Sequence, residues 1–346
     1  MTSTETTAEN AALAERVGHY YVRDQTYIVG REKVREYARA VQDYHPAHWD
    51  EDAAAALGYS GLVAPLTFTS IPAMAANQKL MQEVVVGYET YVQTEQVFEQ
   101  YRPIIVGDEL TTDVELSAVR RIAGKDMITI TNTFVDQNGE TVHRMHTTVV
   151  GVGADEVDPA ITDAVNKVMM HDVQILSAEE SAADYVKTVR QGEAPADSAD
   201  VATRTVGARA FADLAKGDVI GEHHTHISRG DLVNYAGVSG DANPIHWDED
   251  IAKLAGLPDV IAHGMLTMGL GVGVISEWSG DPGAVSRFAV RLSAPAIVPA
   301  DGRGDIVYGG KIKSLHPETT SGVVILTAKC SDKKIFGMAT LELRFS

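Results

Sequence analysis

Asp241, Asn243 and His246 fall close together in the segment SGDANPIHWDED, with Pro244 fixing the backbone between them. A turn can bring three polar side chains to one point, which a helix or strand does not do at these spacings. Aspartate beside histidine is a pair for general acid–base work, and the imidazole titrates near neutrality. Further along, His263-Gly264 opens an apolar stretch that reads as a helix. The Gly264 amide would then be an unpaired donor at the positive end of the helix dipole. That suits a carbonyl oxygen gaining negative charge, and glycine lets the ligand approach the backbone closely. An acid–base pair facing a carbonyl-polarising donor describes removal of a proton alpha to a carbonyl as a beta hydroxyl departs. A thioester carbonyl suits such chemistry.

The elements that must position these residues occur twice. YARAVQDYHPAHWDED begins at Tyr37 and YAGVSGDANPIHWDED at Tyr235, an offset of 235 − 37 = 198 that holds without a gap from Ile28/His226 to Thr69/Thr267. Arg31/Arg229, Asp43/Asp241, Pro46/Pro244, His48/His246 and Gly58/Gly256 are identical pairs, as is the WDED run. This is a duplication. Each copy reads as a short strand, a helix, the Asp-x-x-Pro turn, a second short helix over WDED and an apolar helix. Ser228 with Asp231 forms a capping-box start in the second copy. Alternating β-branched runs follow, with a QNGE turn marking an antiparallel hairpin. A long apolar helix followed by such a meander predicts an α+β unit, an antiparallel sheet wrapped around a helix. The domains are set at 1–153, an Asp/Glu/Ala/Ser-rich linker at 154–200, and 201–346. Within the linker ITDAVNKVMMHDV reads as helical and GEAPADSAD as a flexible connector.

Plainer readings compete with the chemical ones. Asp241 could simply cap a turn, a reading that loses weight with Asn243, His246 and His263-Gly264 in register. The WDED acids suit a helix start, and Trp49 and Trp247 suit core or interface anchors. His263 would line the pocket or cap the helix. His223, His224, His226, His246 and His263 invite a metal; His224 and His226 would share a strand face. Yet His226 aligns with Ile28 of the first copy, so no metal is expected. Gly269, Gly271 and Gly273 lack the preceding strand and lysine of a nucleotide loop, and more simply allow close helix packing or room for an acyl chain. In the first copy Asp43 and His48 keep the pair, but His45 replaces Asn243, Pro65 replaces His263 and Leu66 replaces Gly264. That half reads as a vestigial second site.

The chain has 346 residues, 45% apolar and 22% charged, enough for two domains with full cores. A formal charge of −19 argues against nucleic acid and anionic membrane as partners. The single Cys330 excludes an intramolecular disulfide and a multi-cysteine metal site and fits a reducing compartment. The N-terminus MTSTETTAENAALAERVGHYY does not read as a signal peptide, and the apolar run from Met265 to Ile275 is broken by glycines. A cytoplasmic location is expected.

The motif Asp241-x-Asn243-x-x-His246 followed by AHGMLTMGLG resembles the signature of MaoC-like, R-specific enoyl hydratases and dehydratases. The whole chain resembles a fusion of the two subunits of actinobacterial (3R)-hydroxyacyl-ACP dehydratases. REKVREYARAVQDYHPAHWDE and LVAPLTF resemble the partner subunit that shapes the acyl pocket. The resemblance implies a tandem hot-dog fold and a pseudo-dimer within the chain, and leaves open a further homodimer. It implies Asp241 and His246 as catalytic pair, Asn243 as water-orienting residue and Gly264 as oxyanion donor, with no cofactor. The implied substrate is an acyl thioester of CoA or acyl carrier protein in fatty-acid metabolism. A thioesterase or a non-catalytic acyl-binding subunit on the same fold are the rival readings.

Overall fold

The computed structural model describes residues 13–23, 26–153, 155–169, 186–191 and 209–346. The connector GEAPADSAD, the boundary at 200/201 and the first twelve residues lie outside the described residues.

In the first half, strands β1 (His19–Arg23) and β2 (Tyr27–Ile28) lead to helix α1 (Arg31–Ala40), a 3-10 turn at Pro46–His48 and helix α2 (Glu51–Ala56). A 3-10 turn at Leu66–Thr69 then opens the central helix α3 (Ser70–Glu83). The strands β3 (Thr90–Gln100), β4 (Glu109–Ile122), β5 (Lys125–Val135) and β6 (Thr141–Val152) complete the unit. The QNGE turn joins β5 to β6: Asp136 Oδ1 accepts the Asn138 and Glu140 N–H groups, and Gly139 takes the left-handed φ of 82° the turn requires.

The linker supplies α4 (Pro159–Val168) and β7 (Val186–Gln191). Asp158 caps α4, and β7 pairs antiparallel with β1, so part of the linker extends the first half's sheet.

The second half repeats the plan. It runs through β8 (Val219–Ile227), α5 (Arg229–Ser239), a 3-10 turn at Pro244–His246, α6 (Glu249–Leu254) and the central helix α7 (Gly264–Ser279). The strands β9 (Val285–Leu292), β10 (Gly304–His316), β11 (Ser321–Cys330), β12 (Lys333–Lys334) and β13 (Phe336–Arg344) follow. The capping box at Ser228 and Asp231 forms, and Asp50 and Asp248 cap α2 and α6, which assigns those WDED acids a structural task.

Apolar on nearly every side, α7 is buried along most of its length, as such a helix must be. Gly280 ends it in the left-handed conformation at φ 83°. Its glycines let neighbours in. A Cβ at Gly269 would stand 2.6 Å from Val41 Cγ1, and one at Gly271 would stand 3.0 Å from Leu326 Cδ2.

All pairings among the described residues are antiparallel, and the main strand order is β7-β1-β4-β5-β6-β3-β9-β13-β11-β10-β8. The two half-sheets meet where β3 pairs with β9. There Phe98 stacks on Phe288 at 6.2 Å, and Arg291–Glu95 (2.8 Å) and Arg287–Glu99 (3.6 Å) bridge the strands. On the other side α1 meets α5, with Tyr37 and Tyr235, equivalent in the repeat, 6.2 Å apart. The chain is a pseudo-dimer of two hot-dog units. No helix among the described residues is long and apolar enough to cross a membrane.

Candidate active site

Both Asp-His pairs are mounted the same way. Each histidine ends a 3-10 turn begun by proline, which pre-sets the backbone for that turn. His48 Nδ1–H donates to the Val63 carbonyl at 2.6 Å and His246 Nδ1–H to that of Ile261 at 2.8 Å, acceptors again separated by 198 residues. With Nδ1 so engaged, Nε2 is the ring nitrogen left for the aspartate, and at His48 it faces Asp43 Oδ2. Trp49 Nε1–H donates to the Asp43 carbonyl and Trp247 Nε1–H to the Ala242 carbonyl, pinning each loop.

What surrounds the pairs differs. In the first copy His48 Nε2 lies 3.2 Å from Asp43 Oδ2, and both side chains are buried. Burial disfavours the imidazolium, but Asp43 overrides it and holds His48 above its ordinary value; Asp43 is correspondingly lowered against its own burial by His48. His45 accepts the Ala47 N–H at Nδ1, which leaves Nε2–H to donate to the Gly280 carbonyl of the second half at 3.2 Å. Pro65 precedes the 3-10 turn, and the Leu66 side chain is buried where a carbonyl would have to approach.

In the second copy Asp241, His246 and His263 converge, with ligand-capable atoms within 4.8 Å of one another. The His246 and Asp241 side chains stand apart, farther than the 4.0 Å reach of an ion pair. A water making two ~2.8 Å hydrogen bonds at a tetrahedral angle spans ~4.6 Å, so the gap accommodates one water oxygen. His263 is fully buried, stacks on His246 with centroids 3.8 Å apart, and donates from Nε2–H to the Asp241 carbonyl at 3.1 Å. Burial lowers His246 despite the nearby Asp241, and burial with His246 lowers His263 to about 4. Both imidazoles are therefore neutral at neutral pH, and His246 offers an Nε2 lone pair as a base.

Asn243 is exposed, and its Oδ1 accepts the Ile245 N–H, so its amide NH2 is the part left for a ligand. Gly264 is the first residue of α7, and its N–H has no carbonyl partner four residues back within the helix. A Cβ there would stand 3.0 Å from Leu292 Cδ1 and 3.3 Å from Gln93 Oε1. Gln93 comes from β3 of the first half, and its Nε2 donates to Gln96 Oε1. The first half thus reaches the second half's site. No sequence signal singles out Gln93, because β3 and β9 meet only through the fold.

Among the described residues Asp241, His246 and His263 are the group of three with metal-ligating atoms in mutual reach. Their orientation does not suit a metal. The two rings stack at an interplanar angle of 28°, and an ion about 2.0–2.1 Å from both nitrogens would lie far out of at least one ring plane. His226 is exposed and pairs with Asp305, away from this group.

Residues 15–145 match the family described as the FAS1-like dehydratase domain region, and residues 210–328 match the MaoC-like domain. A UPF0336 protein of Mycobacterium leprae is 41% identical over 131 residues, 37% of this chain and 79% of that protein. A solved structure described as a MaoC-like dehydratase shares 65% identity with a TM-score of 0.90, covering 97% of this chain and all of that one. A conserved hypothetical protein of Mycobacterium tuberculosis with a double hotdog fold aligns over 95% of this chain and 96% of its own, with a TM-score of 0.61 and 14% identity; it is similar in fold.

Proposed function

Since the chain belongs to the MaoC-like dehydratases, we propose that it interconverts (3R)-3-hydroxyacyl and trans-2-enoyl thioesters, with Asp241 and His246 as the acid–base pair. The observation that carries this reading is His246 and Asp241 held close yet farther apart than an ion pair, with His246 Nδ1–H bonded to the Ile261 carbonyl and Nε2 left for chemistry.

In the hydration direction the dyad holds a water whose oxygen bonds to the beta carbon of the enoyl group. The π electrons move to the thioester oxygen, where the Gly264 N–H stabilises the negative charge. The water's proton passes to the dyad, and the alpha carbon gains a proton as the carbonyl reforms. Dehydration runs the same steps backwards, with the beta hydroxyl leaving as water. The two side chains share this traffic. Asn243 would orient the water or hydroxyl through its amide. The first half supplies Gln93 and the wall beside Gly264, in keeping with a role in shaping the acyl pocket. The acyl group would arrive on CoA or acyl carrier protein, as part of fatty-acid metabolism.

The deciding assay follows loss of enoyl ultraviolet absorbance on short and long trans-2-enoyl thioesters carried by CoA and by acyl carrier protein. Hydration of at least one series is expected. Tight binding without turnover would replace this reading with an acyl-binding subunit, and release of free thiol would replace it with a thioesterase.

A further inference from the structure

The duplication provides an internal comparison. Both dyads share the proline-led turn, the histidine Nδ1–H bond to a carbonyl at equivalent positions, and the indole bond to the loop. In each, the aspartate Oδ1 accepts an N–H two residues on, from His45 or Asn243. Yet one pair is closed, at 3.2 Å, and the other is open. Of the equivalent residues that differ beside the pairs (His45/Asn243, Pro65/His263 and Leu66/Gly264), it is His263 that touches both members of the open pair. Proline has no side-chain donor. His263 has one, and it holds both members of the open pair: its ring stacks on His246 and its Nε2–H bonds the Asp241 carbonyl. The Tyr235 ring, 4.8 Å away, backs it.

We propose that His263 is a positioning residue that props the Asp241–His246 pair open by anchoring the Asp241 main chain, so that a water oxygen fits between the two side chains. The kinetic part of this proposal rests on the dehydratase reading; the geometric part does not. Asp241 and His263 are the titratable side chains facing His246, with Tyr235 behind His263. The bond to the Asp241 carbonyl assigns the His263 proton to Nε2, which leaves Nδ1 as a buried acceptor without a partner. A buried acceptor without a protein partner costs stability and is retained when the other nitrogen has a task.

The test uses the full chain with His263→Phe, which keeps a flat ring and loses the donor, and His263→Gln, which keeps a donor at the same reach. Histidine NMR titration and crystal structures read the dyad directly. In His263→Phe the Asp241 carboxylate should close to ion-pair distance on His246 Nε2, as at Asp43–His48, and the His246 pKa should rise by about one unit or more. In His263→Gln the gap and the His246 titration should stay close to those of the parent. With a thioester substrate, His263→Phe should lose kcat on the order of a hundredfold with KM moved less than about threefold, and His263→Gln should recover most of that loss. An open gap with unchanged His246 titration in folded His263→Phe overturns the proposal, as does equal loss in both variants. If His263→Phe does not fold, His263→Met takes its place under the same outcomes, and failure of both to fold would overturn the proposal by making His263 a residue of the fold alone. If the parent hydrates no enoyl thioester, the dehydratase reading fails, while titration and crystallography still decide the role of His263.

Discussion

Gly273 of the second half packs on Asp43 of the first: a Cβ at Gly273 would stand 3.4 Å from both Cβ and Cγ of Asp43. Central helix α7 therefore lies over the first half's acid, and that copy's Asp-His pair is sealed within the interface between the halves. A sealed ion pair acts on stability. Asp43→Asn with His48→Gln should leave turnover within about twofold on short and long substrates and should lower Tm moderately, because two buried neutral amides take the place of a mutually stabilising pair and must find new hydrogen-bond partners in a closed site. His48 is raised in the folded state, so its contribution is full below the unfolded histidine value and fades as pH rises through the folded one; Asp43 is lowered, so its part is lost only in acid. The Tm difference between parent and double variant should accordingly shrink from neutral to alkaline pH. Loss of half the turnover, or of all turnover on one chain length, would instead show a working first site.

At the second pair the expectation is reversed. Asp241→Asn and His246→Gln should each reduce turnover roughly a hundredfold or more while the fold persists. Burial holds His246 below its ordinary 6.5, so the acid limb of kcat/KM should have its midpoint under that value and activity should be full at neutral pH. A limb centred at or above 6.5, or near-parental turnover in either variant, would remove His246 from the base's role.

Much of this was legible in the chain because duplication marks itself. The offset of 198 exposes two equivalent units, and alternating runs with a QNGE turn point to antiparallel sheet around an apolar helix. Asp241 and His246 stand out because a turn holds them close in sequence. His263 was legible as a pocket-lining or helix-capping residue beside Gly264, but not as a partner of His246, since its stacking on His246 joins residues 263 − 246 = 17 apart through a chain return that periodicity does not encode. Gln93 was illegible for a related reason: alternation shows that β3 is a strand without naming β9 as its partner. The pairing of β7 with β1 was hidden in the same way within the linker.

Gly264 separates activity from stability. Its φ is not in the left-handed region, so alanine fits the backbone and is the better helix former. The atoms a Cβ would meet, Leu292 Cδ1 and Gln93 Oε1, are the far ends of flexible side chains that can move aside. Gly264→Ala should therefore keep or raise Tm, yet lower kcat/KM about tenfold to a hundredfold by crowding the carbonyl away from the amide. A drop in Tm with unchanged kcat/KM would assign the glycine to packing alone.

The isolated second half, residues 201–346, should self-associate and be weakly active. Removing the first half leaves β9 without its β3 partner, baring a row of unpaired backbone groups that invites another strand. Phe288 loses its stack on Phe98, at a cost of about 1.5–3 kcal/mol if its ring becomes exposed, and Arg287 and Arg291 lose Glu99 and Glu95. Tyr59 of the first half donates to Asp281 Oδ1 at 2.7 Å, and without it that buried carboxylate loses a partner beside the end of α7. The wall that Gln93 forms at Gly264 disappears as well. Size-exclusion chromatography with the enoyl thioester assay checks both parts: dimers or aggregates with much reduced kcat/KM are expected. Adding the separately produced first half, residues 1–153, should restore activity in proportion to the hetero-pair formed. A monomeric, fully active second half would mean that the pairing surface between β3 and β9 contributes nothing to the site.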